Sequence, residues 1–143
     1  MDDPDAMRDV DDYLRSNREM WDEWADLHVG SEFYGVEAFL AGRCALNDVE
    51  VRELGDVRGK TLLHLQCHFG LDTLSWARRG ARVTGVDFSP RAIAHAEELA
   101  RKADLPARFV CCNIHDVPQC LQEQFDVVFT SAGVLPWLPD IER

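Results

Sequence analysis

The sequence predicts an α/β fold, a doubly wound and mostly parallel sheet, and three observations predict it. Four short apolar runs, at residues 61–65, 81–87, 107–113 and 125–131, alternate with stretches of helical periodicity. Runs such as Val127-Val128-Phe129 are apolar throughout, which suits strands covered on both faces. Each intervening helix must return the chain to the same end of the sheet, so neighbouring strands run parallel.

In residues 10–28, Val10, Tyr13, Leu14, Met20, Trp21, Trp24 and Leu27 recur at helical spacing. They predict a helix with one apolar face, stopped at Gly30. Phe33, Tyr34, Val36, Phe39 and Leu40 form an aromatic-rich, partly helical connector. A second short helix starts at Asn47, where Glu50 completes a capping box and Leu46 and Val51 are spaced for a hydrophobic staple. Gly55 closes it. Thr61–Leu65 is the first strand. Residues 71–79 form a helix with Leu71, Leu74 and Ala77 inward and Gly80 at its end. Residues 81–87 are the second strand. Ser89 then caps, Pro90 takes the first helical position, and Ile93, Ala96, Leu99 and Ala103 form the buried stripe. Residues 107–113 and 125–131 are the third and fourth strands. The chain divides into a helical segment, 1–58, and an α/β unit, 59–143.

Composition narrows the function. A chain of 143 residues, 46% of them hydrophobic, can bury one core. The net charge is −11, from 26 acidic and 15 basic residues, and such a surface repels a phosphate backbone. Nucleic acid is therefore not an expected partner. Lys60 and Lys102 are the only lysines, a bias that either genome composition or a halophilic host would produce. No apolar run is long enough for a membrane span, and the acidic opening MDDPDAMRDVDD lacks a signal-peptide core, so a cytoplasmic location is expected. Five cysteines without a CxxC pair read as reduced thiols.

In a doubly wound sheet, ligands bind beyond the carboxyl ends of the strands. After the first strand comes Gln66-Cys67-His68-Phe69-Gly70, a turn that opens a helix and so offers backbone N–H groups to an anion. Gly70 permits close backbone approach to a ligand, or serves packing where strand meets helix. Asp87 ends the second strand; its two oxygens suit a ribose diol, or help Ser89 cap the next helix. Asn113 and Ile114 follow the third strand, and an amide beside an aliphatic side chain suits an adenine edge and face, or simply a turn and a core. After the fourth strand, Ser131, Ala132 and Gly133 leave room for a ligand, and Trp137 either walls a pocket or covers the sheet.

The succession LLHLQCHFGLDTLSWARRGARVTGVDFSPRAIAHAEELA, FVCCNIHDVP and FDVVFTSAGVLPWLPD resembles motifs I to IV of the class I S-adenosylmethionine-dependent methyltransferases. LHLQCHFG is similar to one bacterial and archaeal subgroup, as is the stretch NREMWDEWADLHVGSEFYGVEAF. The resemblance implies S-adenosylmethionine as cofactor. By position, Asp87 would hold the ribose, Phe88 and Ile114 would flank the adenine, and Asn113 would contact its edge. The sequence departs from the family at motif I. His64 stands where an acid is usual, Gln66 and His68 replace glycines, and Gly70 alone is kept. Gln66 and His68 are then expected to hydrogen-bond the ammonium and carboxylate of the cofactor, with Ser131 also lining the site. His64, Cys67 and His68 lack a fourth ligand at metal-site spacing.

The implied reaction is in-line displacement at a sulfonium methyl, driven largely by alignment, and a general base helps when the acceptor carries a proton. His28, His115 and Asp140 are candidates for that base, and none is assigned. The acceptor is expected to be a small molecule. Family members have a longer sheet, so the chain reads as the cofactor-binding half, with a fourth-strand edge open to self-association. Two alternatives stay open: a non-catalytic S-adenosylmethionine-binding domain, and a nucleotide-binding domain for another cofactor, against which the missing G-x-G-x-x-G counts.

Overall fold

The computed structural model describes residues 4–31 and 34–139, with side chains described from residue 10 onward. Its order is α1 (Pro4–Val29), α2 (Val36–Leu40), α3 (Asp48–Leu54), β1 (Thr61–Leu65), α4 (Leu71–Arg78), β2 (Arg82–Asp87), α5 (Pro90–Lys102), β3 (Arg108–Cys111), α6 (Val117–Cys120) and β4 (Val127–Thr130). The sheet order is β3-β2-β1-β4, every pair parallel, with Leu62 opposite both Val83 and Val127. The chain moves outward from β1 to β3 and then returns to the far side of β1. This puts the reversal of strand order, where doubly wound sheets bind ligands, between β1 and β4.

Strand alternation sends β1 side chains into two cores. Leu62 packs with Val83, Phe129 and Trp76 of α4, together with Leu46 and Val57. Leu63 faces the other way, onto Val86, Cys112 and Leu121. Both faces are covered at β1 and β2, whose residues are mostly buried, whereas the apolar run of β4 is covered on one face only, with Phe129 buried and Val128 62% exposed. A third cluster joins Phe39 of α2 to Phe69, Leu74 and Leu99.

The capping expectations hold in detail. Asn47 accepts from the Glu50 N–H while the Glu50 carboxylate accepts from the Asn47 N–H, each at 2.9 Å. Ser89 accepts from the Ala92 N–H with Pro90 in the first turn of α5. Three expectations change. The fourth strand begins at Val127, because Asp126 turns its carboxylate back to the Thr61 N–H at 2.8 Å instead of joining the ladder. The third strand ends at Cys111, because Asn113 caps a 3-10 turn, Ile114–Asp116, through the His115 N–H. On α1, Val10, Tyr13 and Leu27 are exposed, Leu27 by 67%. The buried side instead carries Asn17 and Ala25, and tertiary contact with α5 selects it.

That contact is polar as well as apolar. Asp22 accepts from the Ser89 hydroxyl at 2.5 Å, and Asp26 meets Arg91 at 3.0 Å and His95 at 2.7 Å. Asp26 is held below its ordinary carboxylate range, chiefly by the His95 hydrogen bond. The two carboxylates fix α1 at the start of α5, where the helix dipole favours negative charge. Phe33, part of the expected connector, lies outside the described residues. The cysteines are free thiols; Cys67 and Cys112 are buried, and Cys112 Sγ approaches Cys120 Sγ to 2.6 Å. Among the described residues, no helix is long and apolar enough to cross a membrane.

Candidate functional site

A cavity of about 520 Å³ opens at the carboxyl ends of the strands, a size within the usual range for small-molecule sites. The fold brings Gln66, His68, Gly70, Asp87, Phe88, Asn113, Ile114 and Ser131, from all four strand-end loops, to its walls.

The loop after β1 keeps a glycine-like path without the glycines. Gln66 has φ 55° and His68 φ 53°, both left-handed, and Gly70 has φ 84°. A non-glycine residue in that region costs about 1–2 kcal/mol, strain of the kind that concentrates at ligand sites. At Gly70 a Cβ would lie 2.9 Å from Phe109 Cζ and 3.1 Å from Ala96 Cβ, so the packing need is met there together with the turn. Asp87 holds the loop in place. Its Oδ2 accepts the His68 N–H at 2.8 Å and its Oδ1 the Ser89 N–H at 2.9 Å. Burial pushes its carboxyl up to about 6, against these hydrogen bonds, which pull it down.

The side chains of the loop divide their work. The His68 ring turns toward α1, with Nε2 2.9 Å from His28 Nδ1 and Trp21 packed edge-on at 5.2 Å. Burial lowers His68 to about 4 and lowers His28 as well, so both rings are neutral at physiological pH. The Gln66 amide donates to the Val134 carbonyl at 3.4 Å, and its Oε1 is buried without a partner. His64 is 1% exposed; its Nδ1 lies 2.7 Å from Thr73 Oγ1, and its Nε2 has no partner. Burial holds His64 neutral by lowering it to about 3. The ring is thus satisfied at one nitrogen only. His64 and His68 turn to different partners, and among the described residues no group of three His, Cys, Asp or Glu is arranged to hold a metal ion.

Beyond β3, Asn113 spends its Oδ1 on the His115 N–H, which leaves its amide nitrogen for a ligand. Trp137 lines the cavity and packs edge-on against Trp21 at 5.3 Å. Of the candidate bases, His28 is held against a cavity residue. His115 has its Nε2 buried without a partner, and Asp140 lies outside the described residues.

Sequence reasoning missed several lining residues: Trp21, Tyr34, Arg43, Glu50 and Asp72. Asp72 stands in the first turn of α4 with no hydrogen bond or ion pair among the described residues. Burial, and the like charge of Glu50, push its carboxyl up to about 7. Its signal was in the sequence, as an acid directly after Leu71 at a helix start, but nothing there said that the first turn faces a cavity.

Comparison with known proteins agrees with the fold. Residues 62–143 match the family described as "Methyltransferase domain". The chain is 30% identical over 86 residues to a ubiquinone biosynthesis O-methyltransferase of Chromobacterium violaceum, covering 60% of this chain and 37% of that protein. It therefore spans just over a third of the length of that relative. A 16S rRNA methyltransferase of T. thermophilus, solved with AdoMet and guanosine, matches 59% of this chain and 23% of its own at 27% identity and TM-score 0.53. Magnesium protoporphyrin IX methyltransferase from Synechocystis, solved with bound SAM, shares the fold at 19% identity and TM-score 0.53, over 73% of this chain and 45% of its own.

Proposed function

Because the chain belongs to the methyltransferase-domain family, we propose that it binds S-adenosylmethionine in the strand-end cavity and serves methyl transfer to a small-molecule acceptor. The observation that supports this most is the meeting, in one cavity, of the Asp87 carboxylate, the apolar Phe88 and Ile114, the Asn113 amide, and the unpartnered His64 Nε2 and Gln66 Oε1. That set matches a ligand with a diol, a flat heterocycle and a polar tail.

In this reading each Asp87 oxygen, already accepting one backbone N–H, keeps a lone pair for a ribose hydroxyl. Phe88 and Ile114 flank the adenine, and the free Asn113 amide donates to its edge. Gly70 gives the backbone close approach, Ser131 lines the far side, and Gln66 and His68 face the methionine end. S-adenosylmethionine supplies a methyl group on a sulfonium, whose departure leaves a neutral thioether. The chain's own part is alignment: Trp21, Tyr34 and Trp137 wall the cavity and keep water out, and effective molarity in such a setting is worth about 7–11 kcal/mol. The neutral His28–His68 pair is available to accept an acceptor's proton. Residues 1–58 act as a helical segment walling the site of the 59–143 unit. The LHLQCHFG subgroup, a cytoplasmic setting and an acceptor other than nucleic acid belong to the same reading, supported by the motif and the −11 charge. Self-association through the β4 edge belongs to it too, since Val128 is 62% exposed there.

The test is titration calorimetry with S-adenosylmethionine, S-adenosylhomocysteine and NAD, followed by an assay for S-adenosylhomocysteine release with pooled small-molecule acceptors. Binding of the first two ligands and acceptor-dependent turnover are expected. NAD binding in their place would assign the cavity to another cofactor. Cofactor binding with no turnover for any acceptor would make the domain a non-catalytic binder.

A further inference from the structure

We propose that Cys112 and Cys120 are a reversible oxidation site, at which a peroxide forms a disulfide that staples the cavity loop carrying Asn113 and Ile114. The bridge fixes that loop in the shape it has as a wall of the cavity. The modification itself stands on the two thiols; its effect on ligand binding rests on the S-adenosylmethionine reading.

The two sulfurs lie 2.6 Å apart, although their residues stand at opposite ends of the segment made by the 3-10 turn and α6. A disulfide bond is about 2.05 Å long, so closure asks for a movement of about half an ångström. Both ends of the segment are anchored. The Cys112 N–H donates to the Asp87 carbonyl at 2.9 Å, and the Leu121 N–H donates to the Val117 carbonyl at 2.8 Å. Cys112 and Leu121 share one apolar cluster with Leu63 and Val86. Between these anchors the chain presents Asn113 and Ile114 to the cavity, which Cys112 lines as well. The other thiols are set apart. Cys111 is next to Cys112 in the chain, but consecutive residues at a strand end point to opposite faces. Its Sγ turns to the Phe88 carbonyl at 3.5 Å. Cys67 is buried with its Sγ 3.5 Å from the His68 carbonyl, and Cys44 lies exposed between α2 and α3.

Exposure sets the order of events. Cys120 is exposed and Cys112 is buried, so Cys120 meets the peroxide. Its thiolate attacks one peroxide oxygen and the O–O bond breaks. The departing hydroxide takes up a proton, leaving Cys120 as a sulfenic acid and one water. The Cys112 thiol donates toward the Asn113 carbonyl at 3.2 Å, which leaves a sulfur lone pair for Cys120. That lone pair attacks the Cys120 sulfur: the S–S bond forms, the S–O bond breaks, and hydroxide leaves with the Cys112 proton as a second water. Two thiols and one peroxide thus give one disulfide and two waters, with two electrons passing from sulfur to peroxide oxygen. Burial, and then the Cys120 contact, push the Cys112 thiol up to about 12. Cys112 is therefore a poor nucleophile toward a dilute oxidant, but the sulfenic sulfur is held against it. A dithiol reverses the step by thiol–disulfide exchange.

In the reduced chain only a weak thiol contact ties Cys112 to Cys120. The disulfide replaces it with a covalent tie, which restricts the unfolded chain and bars local opening of the segment in the folded one. Because the sulfurs already touch when Asn113 and Ile114 line the cavity, the bridge and a ligand in the cavity favour the same loop shape. Each then promotes the other, by the same factor in both directions.

The experiment treats the parent chain, Cys111→Ser and Cys120→Ser with hydrogen peroxide and maps the products by mass spectrometry with and without dithiothreitol. Cleavage before Asp116 separates Cys112 from Cys120, so the bridge appears as two joined peptides that dithiothreitol parts. The joined pair should form in the parent and in Cys111→Ser and be absent from Cys120→Ser. The bridged parent should show a thermal midpoint higher by about 5 °C. It should bind S-adenosylhomocysteine about threefold or more tighter than the reduced parent, because the loop is already ordered. In Cys120→Ser, peroxide should change neither quantity. A joined pair that needs Cys111, oxidation of Cys120 without joined peptides, or a midpoint that does not rise overturns the proposal. Weaker ligand binding by the bridged chain overturns the shared loop shape. A chain that forms the bridge but binds no S-adenosylhomocysteine in either state overturns the S-adenosylmethionine reading and leaves the oxidation site established.

Discussion

Asp72→Asn should stabilise the ligand-free chain at neutral to alkaline pH, and the gain should disappear in acid. The carboxyl moves from its ordinary 3.8 to about 7 on folding, because burial and then Glu50 disfavour its charge. A shift of about three pH units corresponds to about 4 kcal/mol between its charged and neutral forms. Asparagine keeps the shape and removes the charge, but its amide is still desolvated and its charge at the helix start is lost, worth about 0.3–1 kcal/mol. A net gain of about 1–2 kcal/mol at pH 8 remains. The folded pKa lies above the unfolded one, so between pH 4 and 7 the folded state holds more protons than the unfolded state. The Asp72 contribution to stability therefore falls as pH rises through that window and is flat above it. Asp87, raised to about 6, acts in the same direction, while His64 and His68, lowered to about 3 and 4, favour the folded state as pH rises toward 6.5. These opposing groups are common to both proteins and cancel in the difference. Urea unfolding of parent and variant at pH 5, 6, 7 and 8 measures it. A difference that does not change with pH, or a parent more stable at pH 8, would refute the reasoning that Asp72 is an unpaired, desolvated carboxylate.

Two more outcomes follow from the same loop. Asp87→Ala should weaken S-adenosylhomocysteine binding by about 1.5–3 kcal/mol, because the His68 and Ser89 N–H groups lose their acceptor along with any ribose hydroxyl; unchanged affinity by calorimetry in a chain folded by circular dichroism would remove Asp87 from the site. Gly70→Ala should lower stability by about 2–4 kcal/mol from left-handed strain and overpacking, since its Cβ would meet Phe109 at 2.9 Å; a loss under about 1 kcal/mol in urea unfolding would mean that the Phe109 ring can move aside.

Much of the fold was legible because its signals are local. The Asn47–Glu50 box and the Ser89-Pro90 start need only neighbouring residues, and both are present as expected. Strand limits were less legible, since Asp126 and Asn113 leave the ladder for side-chain bonds, one of them to a residue distant in sequence. The face of α1 was misjudged at Leu27 because a helix with aromatic residues around much of its girth has no unique apolar side until a partner is chosen. Asp22 and Asp26, bonded to Ser89, Arg91 and His95, choose it.

The same division runs through the site. Motif spacing alone determined that Gln66, Gly70, Asp87, Asn113 and Ser131 fall at strand ends, because a parallel α/β chain must put successive loops on one edge. Sequence also showed that glycines were missing from motif I. Only the tertiary structure decided that Gln66 and His68 keep a left-handed backbone, that His68 turns to His28, and that Asp72 and Glu50 face a common cavity. Those facts depend on α1, α3 and α4 meeting around β1. They are set by packing between segments far apart in the chain, which no short window of residues encodes.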